Sequence, residues 1–101
     1  MKYSIIWQPL AIESFYEELD FILLKWNPKV AEKFSILVED SLFRIKSKSE
    51  IGKFNSKKEI YSLVLSKQTT LIYKIIENAD QMDLLLFWNN KKNPKLLQKL
   101  L

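Results

Sequence analysis

The feature that most constrains the fold is a change in the spacing of apolar residues about halfway along the chain. Between residues 12 and 45, apolar side chains recur every three or four positions, which is the spacing of helices with one buried face. Between residues 60 and 88, three shorter runs alternate in polarity or are rich in apolar residues, as β-strands are. A chain with helices first and strands afterwards is expected to form an α+β domain.

Two helices are predicted in the first half of the chain. An apolar stripe extends along residues 9–27, and it begins at Pro9, whose missing N–H costs nothing in the first turn of a helix. Asn27-Pro28 reads as an N-cap followed by proline at the first helical position, so a second helix follows, with its apolar face over residues 30–45. Two amphipathic helices joined by so short a connection are expected to form an antiparallel hairpin.

Four strands and a short final helix complete the predicted order. The strands cover residues 2–7, 60–66, 70–76 and 82–88, and residues 46–59 form one long loop. Residues 82–88 are apolar on both faces, as in a central strand. Asn93-Pro94 repeats the capping signal and begins the final helix. Residues 1–101 are thus predicted to be one α+β domain, with the helical hairpin packed on a four-stranded, mainly antiparallel sheet in the order β-α-α-β-β-β-α.

The predicted sheet has a second face that the hairpin does not cover. Apolar sheet faces are rarely left bare in soluble proteins. One candidate cover is the final helix, which carries Leu96, Leu97, Leu100 and Leu101. The other is a second protein, so this face is a candidate docking surface.

The residue types that are missing exclude several classes of chemistry. The 101 residues include neither Cys nor His, which rules out thiol nucleophiles, disulfides and Ser-His triads and removes the commonest metal ligands. No cofactor and no metal is therefore expected. The first residues show no signal-peptide pattern, and no segment reaches the length of a membrane span, so we expect a cytoplasmic protein.

Charge is distributed unevenly along the chain. Residues 1–45 carry five basic and seven acidic side chains, a net charge of −2, whereas residues 46–101 carry eleven and five, a net charge of +6. A basic half indicates an anionic partner, either nucleic acid or an acidic protein segment. The alternative is a solvated lysine surface that keeps a small protein soluble.

Three segments resemble the RelE/ParE superfamily of toxins from type II toxin–antitoxin systems. Residues 7–11, Trp-Gln-Pro-Leu-Ala, resemble the family's segment at the end of the first strand. Residues 71–75, Leu-Ile-Tyr-Lys-Ile, resemble a characteristic strand, and residues 85–94 resemble the final strand with its basic turn. The order and spacing of these segments extend the resemblance over nearly the whole chain.

The resemblance implies a microRNase-like α+β fold and a growth-inhibiting toxin, of the class that also serves in plasmid stabilisation. RelE-like members cut mRNA in the ribosomal A site without a metal, whereas ParE-like members inhibit DNA gyrase and show no clear catalytic site. Members of both kinds are silenced by a small antitoxin whose disordered tail orders on binding. The implied partners are therefore a cognate antitoxin with an acidic, amphipathic segment and, as target, either gyrase or the ribosome with its mRNA.

The resemblance also implies a candidate site built mainly from lysines. Metal-independent RNA cleavage needs cations around the phosphate and groups that exchange protons. The candidate catalytic residues are Lys67, Tyr73, Lys91 and Lys92. The candidate residues for binding nucleic acid or another target are Lys57, Lys58, Lys67, Lys74, Trp88, Asn90, Lys91 and Lys92. Core packing is the commoner role for Tyr73, which lies in an apolar run, and for Trp88, which ends an apolar strand.

Departures from the family pattern bear on the activity. Tyr61-Ser62 replaces a basic pair, Lys91 stands where relatives often carry Arg, and the one arginine, Arg44, lies in the second predicted helix. Arginine holds a phosphate through two parallel donors whereas lysine acts as a point charge, so these departures disfavour RelE-type cleavage. Gyrase-type inhibition is slightly favoured. The alternatives are a ribosome-dependent mRNA endonuclease and a degenerate toxin that only binds its antitoxin.

Overall fold

The computed structural model describes residues 3–101, and its elements follow the predicted order with one added strand and one added 3₁₀ turn. Lys2, the first residue of the predicted first strand, lies outside the described residues. The strands are β1 Ser4–Trp7, β2 Lys53–Asn55, β3 Ile60–Val64, β4 Thr69–Ile76 and β5 Gln81–Asn89. The helices are α1 Pro9–Lys25, α2 Pro28–Ser47 and α3 Pro94–Leu100, and a single 3₁₀ turn, Glu77–Ala79, connects β4 to β5.

The strands form one sheet in the order β1-β5-β4-β3-β2. β1 pairs with β5 in parallel, and every other pairing is antiparallel. The predicted α+β class is thus confirmed, with a fifth strand added at the sheet edge. This strand, β2, lies inside the predicted loop. It is only three residues long, and its pairing with β3 is supported by a turn in which Asn55 Oδ1 accepts hydrogen bonds from the backbone N–H groups of Lys57 and Lys58.

Both predicted caps are present in the structure. Asn27 Oδ1 accepts a hydrogen bond from Val30 N at 3.1 Å, and Pro28 occupies the first helical turn. Asn93 Oδ1 accepts one from Lys95 N at 3.0 Å at the start of α3. Each asparagine satisfies a backbone donor that the first turn of a helix leaves unpaired, and proline fits the turn because it brings no such donor.

The main core lies between the helical hairpin and one side of the sheet, here called the hairpin face. It is built by residues of both helices and of the two central strands, among them Ala11, Ile22, Phe34, Val38, Ile45, Leu71, Tyr73, Met82, Leu84 and Phe87. The buried stripe of α2 also includes the small residues Ala31 and Ser41, whereas Leu37 and Leu42 of the predicted face are only half-buried. Small residues at the contact let a helix approach a sheet closely, so the buried stripe is rotated from the one that hydrophobicity alone predicts.

The opposite side of the sheet, here called the tail face, carries a smaller apolar cluster. Ile60, Ile72, Leu86 and Trp88 are buried there beneath Leu10, Leu85, Leu97 and Leu101. The final helix is therefore part of the cover that the sequence required. Within residues 3–101, no helix is both long enough and apolar enough to cross a membrane.

Candidate functional site

The β3–β4 turn and the β5–α3 turn lie side by side at one end of the sheet. The Asn90 backbone N–H donates to Gln68 O at 2.7 Å, and its side-chain Nδ2 donates to Lys67 O at 3.2 Å. Asn90 Oδ1 in turn accepts from Thr70 Oγ1 at 2.7 Å. Asn90 therefore joins the two turns, and we call the surface that carries the exposed side chains of Lys67, Lys91 and Lys92 the lysine end.

Short polar side chains hold both turns of the lysine end in shape. Ser66 Oγ accepts from Gln68 N and from Thr69 N, each at 3.1 Å. Asn89 Oδ1 accepts from Lys91 N at 2.9 Å. Such side-chain bonds to nearby backbone N–H groups are what makes Ser and Asn favourable in turns. The lysines of this end are thus carried by a defined backbone.

Trp88, the predicted base-stacking residue, is buried. Its side chain is 6% exposed on the tail face, in the same cluster as Ile72 and Leu86. The Lys92 ammonium lies 6.0 Å from the centroid of its ring. The face of Trp88 is therefore closed to an incoming base in this structure, and its role is to support the turn that carries Lys92.

Tyr73, the predicted catalytic phenol, lies in the main core and is fully buried. Its hydroxyl donates to Ser49 O at 2.8 Å and accepts from Gly52 N at 3.2 Å, and its ring stacks on Tyr61 at 5.2 Å. Burial raises the pKa of Tyr73 above the usual 10.0 and outweighs the hydrogen bond from Gly52. In this structure the Tyr73 phenol anchors a loop in the core, and its catalytic role stays a prediction.

The other three predicted lysines lie apart from the lysine end. Lys57 and Lys58 are exposed in the β2–β3 turn, and Lys74 is half-buried in β4 opposite Asp83. Lys74 is four residues from Thr70 along β4, which is about 13 Å at the usual rise of a strand. The predicted binding lysines thus form two groups: those at the lysine end, and Lys57, Lys58 and Lys74 away from it.

Lys58 and Lys74 line an open groove of about 570 Å³ on the tail face. We call it the leucine groove, because five of its ten residues are leucines; it is lined by Gln8, Pro9, Leu10, Lys58, Ile60, Lys74, Leu85, Leu86, Leu100 and Leu101. Leu96 and Leu100 of α3 remain 49% and 51% exposed. The final helix, α3, therefore covers the tail face only in part, and an apolar groove with two cations at its margin stays open.

The hairpin has a groove of the opposite charge. It measures about 610 Å³ between α1 and α2 and is lined by Trp7, Ile12, Phe15, Tyr16, Ser35, Val38, Glu39 and Leu42. Glu39 is exposed at its margin, and Glu13 and Glu17 are exposed beside Ile12 and Tyr16 on α1. Sequence analysis identified the apolar stripes but not this groove, because it depends on how the two helices are set against each other.

The sequence pattern also did not predict that one carboxylate, that of Glu18, is buried. Glu18 is buried in α1 and accepts a hydrogen bond from Thr69 Oγ1 at 2.8 Å. Its sequence neighbours Glu17 and Asp20 are not buried, and position in the helix was the only signal that could have distinguished it. This bond ties the hairpin to the start of β4, next to the lysine end.

Comparison with known proteins finds a likeness in fold. No protein-family model matches the chain, and no curated protein matches it in sequence. The crystal structure of the isolated E. coli RelE toxin is similar to this structure, with a TM-score of 0.62 at 13% sequence identity. The likeness covers 98% of this chain and 99% of the RelE chain. The fold of this chain is thus RelE-like along nearly its whole length, as the sequence resemblance predicted.

Proposed function

We propose that this chain is the toxin of a type II toxin–antitoxin pair, which arrests growth by binding a macromolecular target in the cytoplasm. The observation that carries the proposal is the RelE-like fold, shared over nearly all of both chains. The lysine end supports it, because exposed cations on adjoining turns favour a large anionic target. An open apolar groove on the tail face supports the other half of the proposal, an antitoxin that covers it.

We favour inhibition by binding, as in gyrase-type toxins, over cleavage of mRNA. RNA cleavage requires groups that transfer protons as well as cations that stabilise the phosphate. The lysine end supplies the cations, but its predicted phenol, Tyr73, is buried in the core. Tyr61 faces the hairpin side, where it stacks on Tyr73. The absence of arginine from these turns adds to this preference, since lysine lacks the two-pronged donor set that suits phosphate.

The alternative functions use the same surfaces. A ribosome-dependent mRNA endonuclease would rely on Lys67, Lys91 and Lys92 for charge, and the clustering of these three lysines is the observation in its favour. A degenerate toxin would retain only the antitoxin-binding groove.

The leucine groove is the proposed docking site for the antitoxin. An acidic, amphipathic segment would place its apolar side chains against Leu86 and Leu100 and its carboxylates near Lys58 and Lys74. The hairpin groove is a poorer site for such a segment, because Glu39 at its margin would repel carboxylates. Both grooves are apolar, but the positive charge of the leucine groove makes it the better site for an acidic segment.

The proposal is tested by inducing the chain in bacteria and scoring growth together with mRNA cleavage. Growth arrest with intact mRNA is expected, and codon-phased cleavage would instead support the endonuclease. Lys91→Ala with Lys92→Ala is expected to relieve the arrest. The matched control is Lys46→Ala with Lys48→Ala, which removes the same charge at the distant end of α2. Normal growth on full expression of the unaltered chain would overturn the toxin proposal.

The partner is tested by the reading frame next to this one. We expect a short frame that encodes a DNA-binding head and an acidic tail, and whose product restores growth when it is expressed with the toxin. A neighbouring product that binds the chain while the unaltered chain never arrests growth would support the degenerate toxin.

A further inference from the structure

The lysine end extends onto the helical hairpin. A crevice of about 230 Å³ separates the hairpin tip from the β3–β4 turn, and it is lined by Ile22, Trp26, Val30, Lys33, Phe34, Leu37, Ser66, Gln68 and Thr69. Lys33 therefore lies on one side of this crevice, and Lys67, between Ser66 and Gln68 in sequence, lies on the other. Lys29 is one helical turn before Lys33 on α2.

Six lysines from three segments thus surround one end of the molecule. They are Lys25, Lys29, Lys33, Lys67, Lys91 and Lys92, and all six are exposed. Of the nearby carboxylates, Glu32 is exposed next to Lys33 in sequence, and Glu18 is buried and accepts a hydrogen bond from Thr69. Three of the lysines come from the half of the chain whose net charge is negative. The excess of positive charge at this end is therefore a product of the fold.

An aromatic side chain lies within this group of lysines. Trp26 lines the crevice and is 46% exposed. The Lys25 ammonium lies 5.0 Å from the Trp26 ring centroid and 5.4 Å from that of Phe21, an arrangement that holds the cation beside the ring. A half-exposed aromatic ring flanked by cations is the arrangement that proteins use to stack a base and bind its phosphates.

The size and lining of the crevice suit one flat ring system. Its 230 Å³ is below the roughly 300–1,000 Å³ of pockets that enclose whole drug-sized ligands. One wall is apolar, from Ile22, Trp26 and Phe34, and the other carries the polar side chains of Ser66, Gln68 and Thr69. Gln68 Nε2 is a buried donor with no hydrogen-bond partner among the described residues, so the polar wall has unused capacity.

We infer that this end of the molecule binds single-stranded nucleic acid, with one base in the Trp26 crevice and phosphates on the lysines at its two sides. The inference goes beyond the proposed function, because it gives the lysine end a nucleic-acid ligand whichever enzyme the chain inhibits. Cations on both sides of a crevice suit a strand that passes between them, whereas a lipid surface meets one convex face. Leu24, which is 89% exposed at the hairpin tip, is the feature that a lipid surface would use instead.

The test is fluorescence anisotropy of the full chain with labelled oligo-dT and oligo-U of equal length over a salt series. Lys29→Ala with Lys33→Ala is expected to weaken binding and to reduce the slope of log affinity against log salt by about 1.4, since each phosphate contact to a single strand contributes about 0.7. The control pair, Lys46→Ala with Lys48→Ala, lies at the other end of the same helix, roughly 20 Å away at 1.5 Å per residue. It should leave the slope unchanged.

A separate variant tests whether a base stacks on Trp26. Trp26→Leu keeps an apolar side chain but removes the ring, so affinity should fall about fivefold or more while the salt slope is preserved. A thermal unfolding curve checks that the variant is folded. Equal affinity for the two strands is expected if the sugar is not read, and a preference for oligo-U would still support the inference and indicate contact with the 2′-hydroxyl.

Three outcomes would overturn the inference. They are no binding to either strand at low salt, equal losses in the test and control pairs, and binding only to phosphatidylserine vesicles with loss in Leu24→Ser. None of these results bears on growth arrest, which is scored in cells. A chain that arrests growth but binds no strand refutes only this inference, whereas a chain that binds strands but never arrests growth refutes only the proposed toxin.

Discussion

At the scale of single residues, Tyr73 is a predicted catalytic residue whose hydroxyl makes structural hydrogen bonds in the core. Its hydroxyl bridges Ser49 O and Gly52 N, and so connects the sheet to the loop between α2 and β2. Gly52 is suited to this contact, because a Cβ there would lie 3.0 Å from the Tyr73 hydroxyl oxygen and 3.0 Å from Ser62 O. The close approach leaves no room for a larger residue.

Tyr73→Phe should therefore cost stability without abolishing function. The substitution leaves Ser49 O and Gly52 N without their partner, and we expect a loss of about 1–3 kcal/mol in the free energy of unfolding, measured in urea. Growth arrest at a temperature where the variant is folded should persist. Loss of arrest in a fully folded Phe variant would restore Tyr73 as a catalytic candidate.

The same hydroxyl predicts a pH dependence at the alkaline end. The pKa of Tyr73 is raised in the folded state, chiefly by burial, so above about pH 10 the unfolded chain loses this proton more readily than the folded one. Stability is therefore unaffected below pH 10 and falls as the pH rises beyond it. Urea unfolding at pH 8 to 11 should show this fall, and a smaller one in Tyr73→Phe. Burial raises the pKa of Tyr61 as well, so part of the fall remains.

Ser14 is a second residue whose role is structural. β5 pairs irregularly with β4, since Ile72 lies opposite Leu86 while Tyr73 lies opposite Leu84. Near this irregularity the Phe87 N–H donates to Ser14 Oγ at 2.9 Å, and Ser14 donates to Leu10 O at 2.7 Å. A helix residue thus satisfies a strand donor in the core.

Ser14→Ala is expected to lower the free energy of unfolding by about 1–3 kcal/mol, because the buried Phe87 N–H loses its acceptor. Ser47→Ala is the control, since Ser47 Oγ makes an exposed bond to Phe43 O in its own helix. Its cost should stay within about 0.5 kcal/mol, as for most surface substitutions. Chemical denaturation of both variants checks the pair, and equal costs would contradict the role assigned to Ser14.

At the scale of elements, α3 has two unlike sides. Leu97 and Leu101 pack on the tail face over Trp88, whereas Leu96 and Leu100 are half exposed. A helix of seven residues is too short to be stable alone in water, so its position depends on these contacts.

Leu97→Ala should therefore loosen the helix and expose the tail face. We expect a loss of about 1–3 kcal/mol, less than the 2–5 typical of a fully buried leucine because Leu97 is only partly buried. Tryptophan emission should shift to longer wavelength as Trp88 meets water. Leu96→Ala is the matched control and should leave the emission unchanged. A shift of the same size in both variants would show that α3 does not cover Trp88 through Leu97.

At the scale of the whole molecule, the two proposed binding functions lie on separate surfaces. The lysine end carries the target site, and the leucine groove, about 13 Å away along β4, carries the antitoxin site. Substitutions at sites this far apart, with no shared partners, usually act independently.

Two paired variants should therefore have opposite effects. Lys91→Ala with Lys92→Ala is expected to lose growth arrest but still to bind the neighbouring frame's product. Lys58→Ala with Lys74→Ala is expected to arrest growth and to escape neutralisation, because an acidic segment loses its counter-charges. Growth curves with and without the neighbour, together with copurification, measure both. If each pair of substitutions abolishes both growth arrest and binding of the neighbouring frame's product, then the target and the antitoxin bind the same surface.

The sequence by itself determined the elements and their order. Apolar spacing, the Asn-Pro caps at positions 27–28 and 93–94, and the apolar final strand are local signals, and each acts through residues only a few positions apart. The short strand β2 was missed because Lys53–Asn55 has no apolar pattern of its own and depends on a partner strand.

Only the tertiary structure decided which candidate site residues lie close together. Tyr73 and Lys74 are adjacent in sequence, but they point to opposite faces of the sheet, and whether a face is covered depends on where the hairpin packs. Asn90 joins turns that are 23 residues apart, and Lys33 meets the β3–β4 turn across a crevice. Such contacts come from packing between distant segments, which local spacing does not encode, so the sequence could supply the residues of the site but not their arrangement.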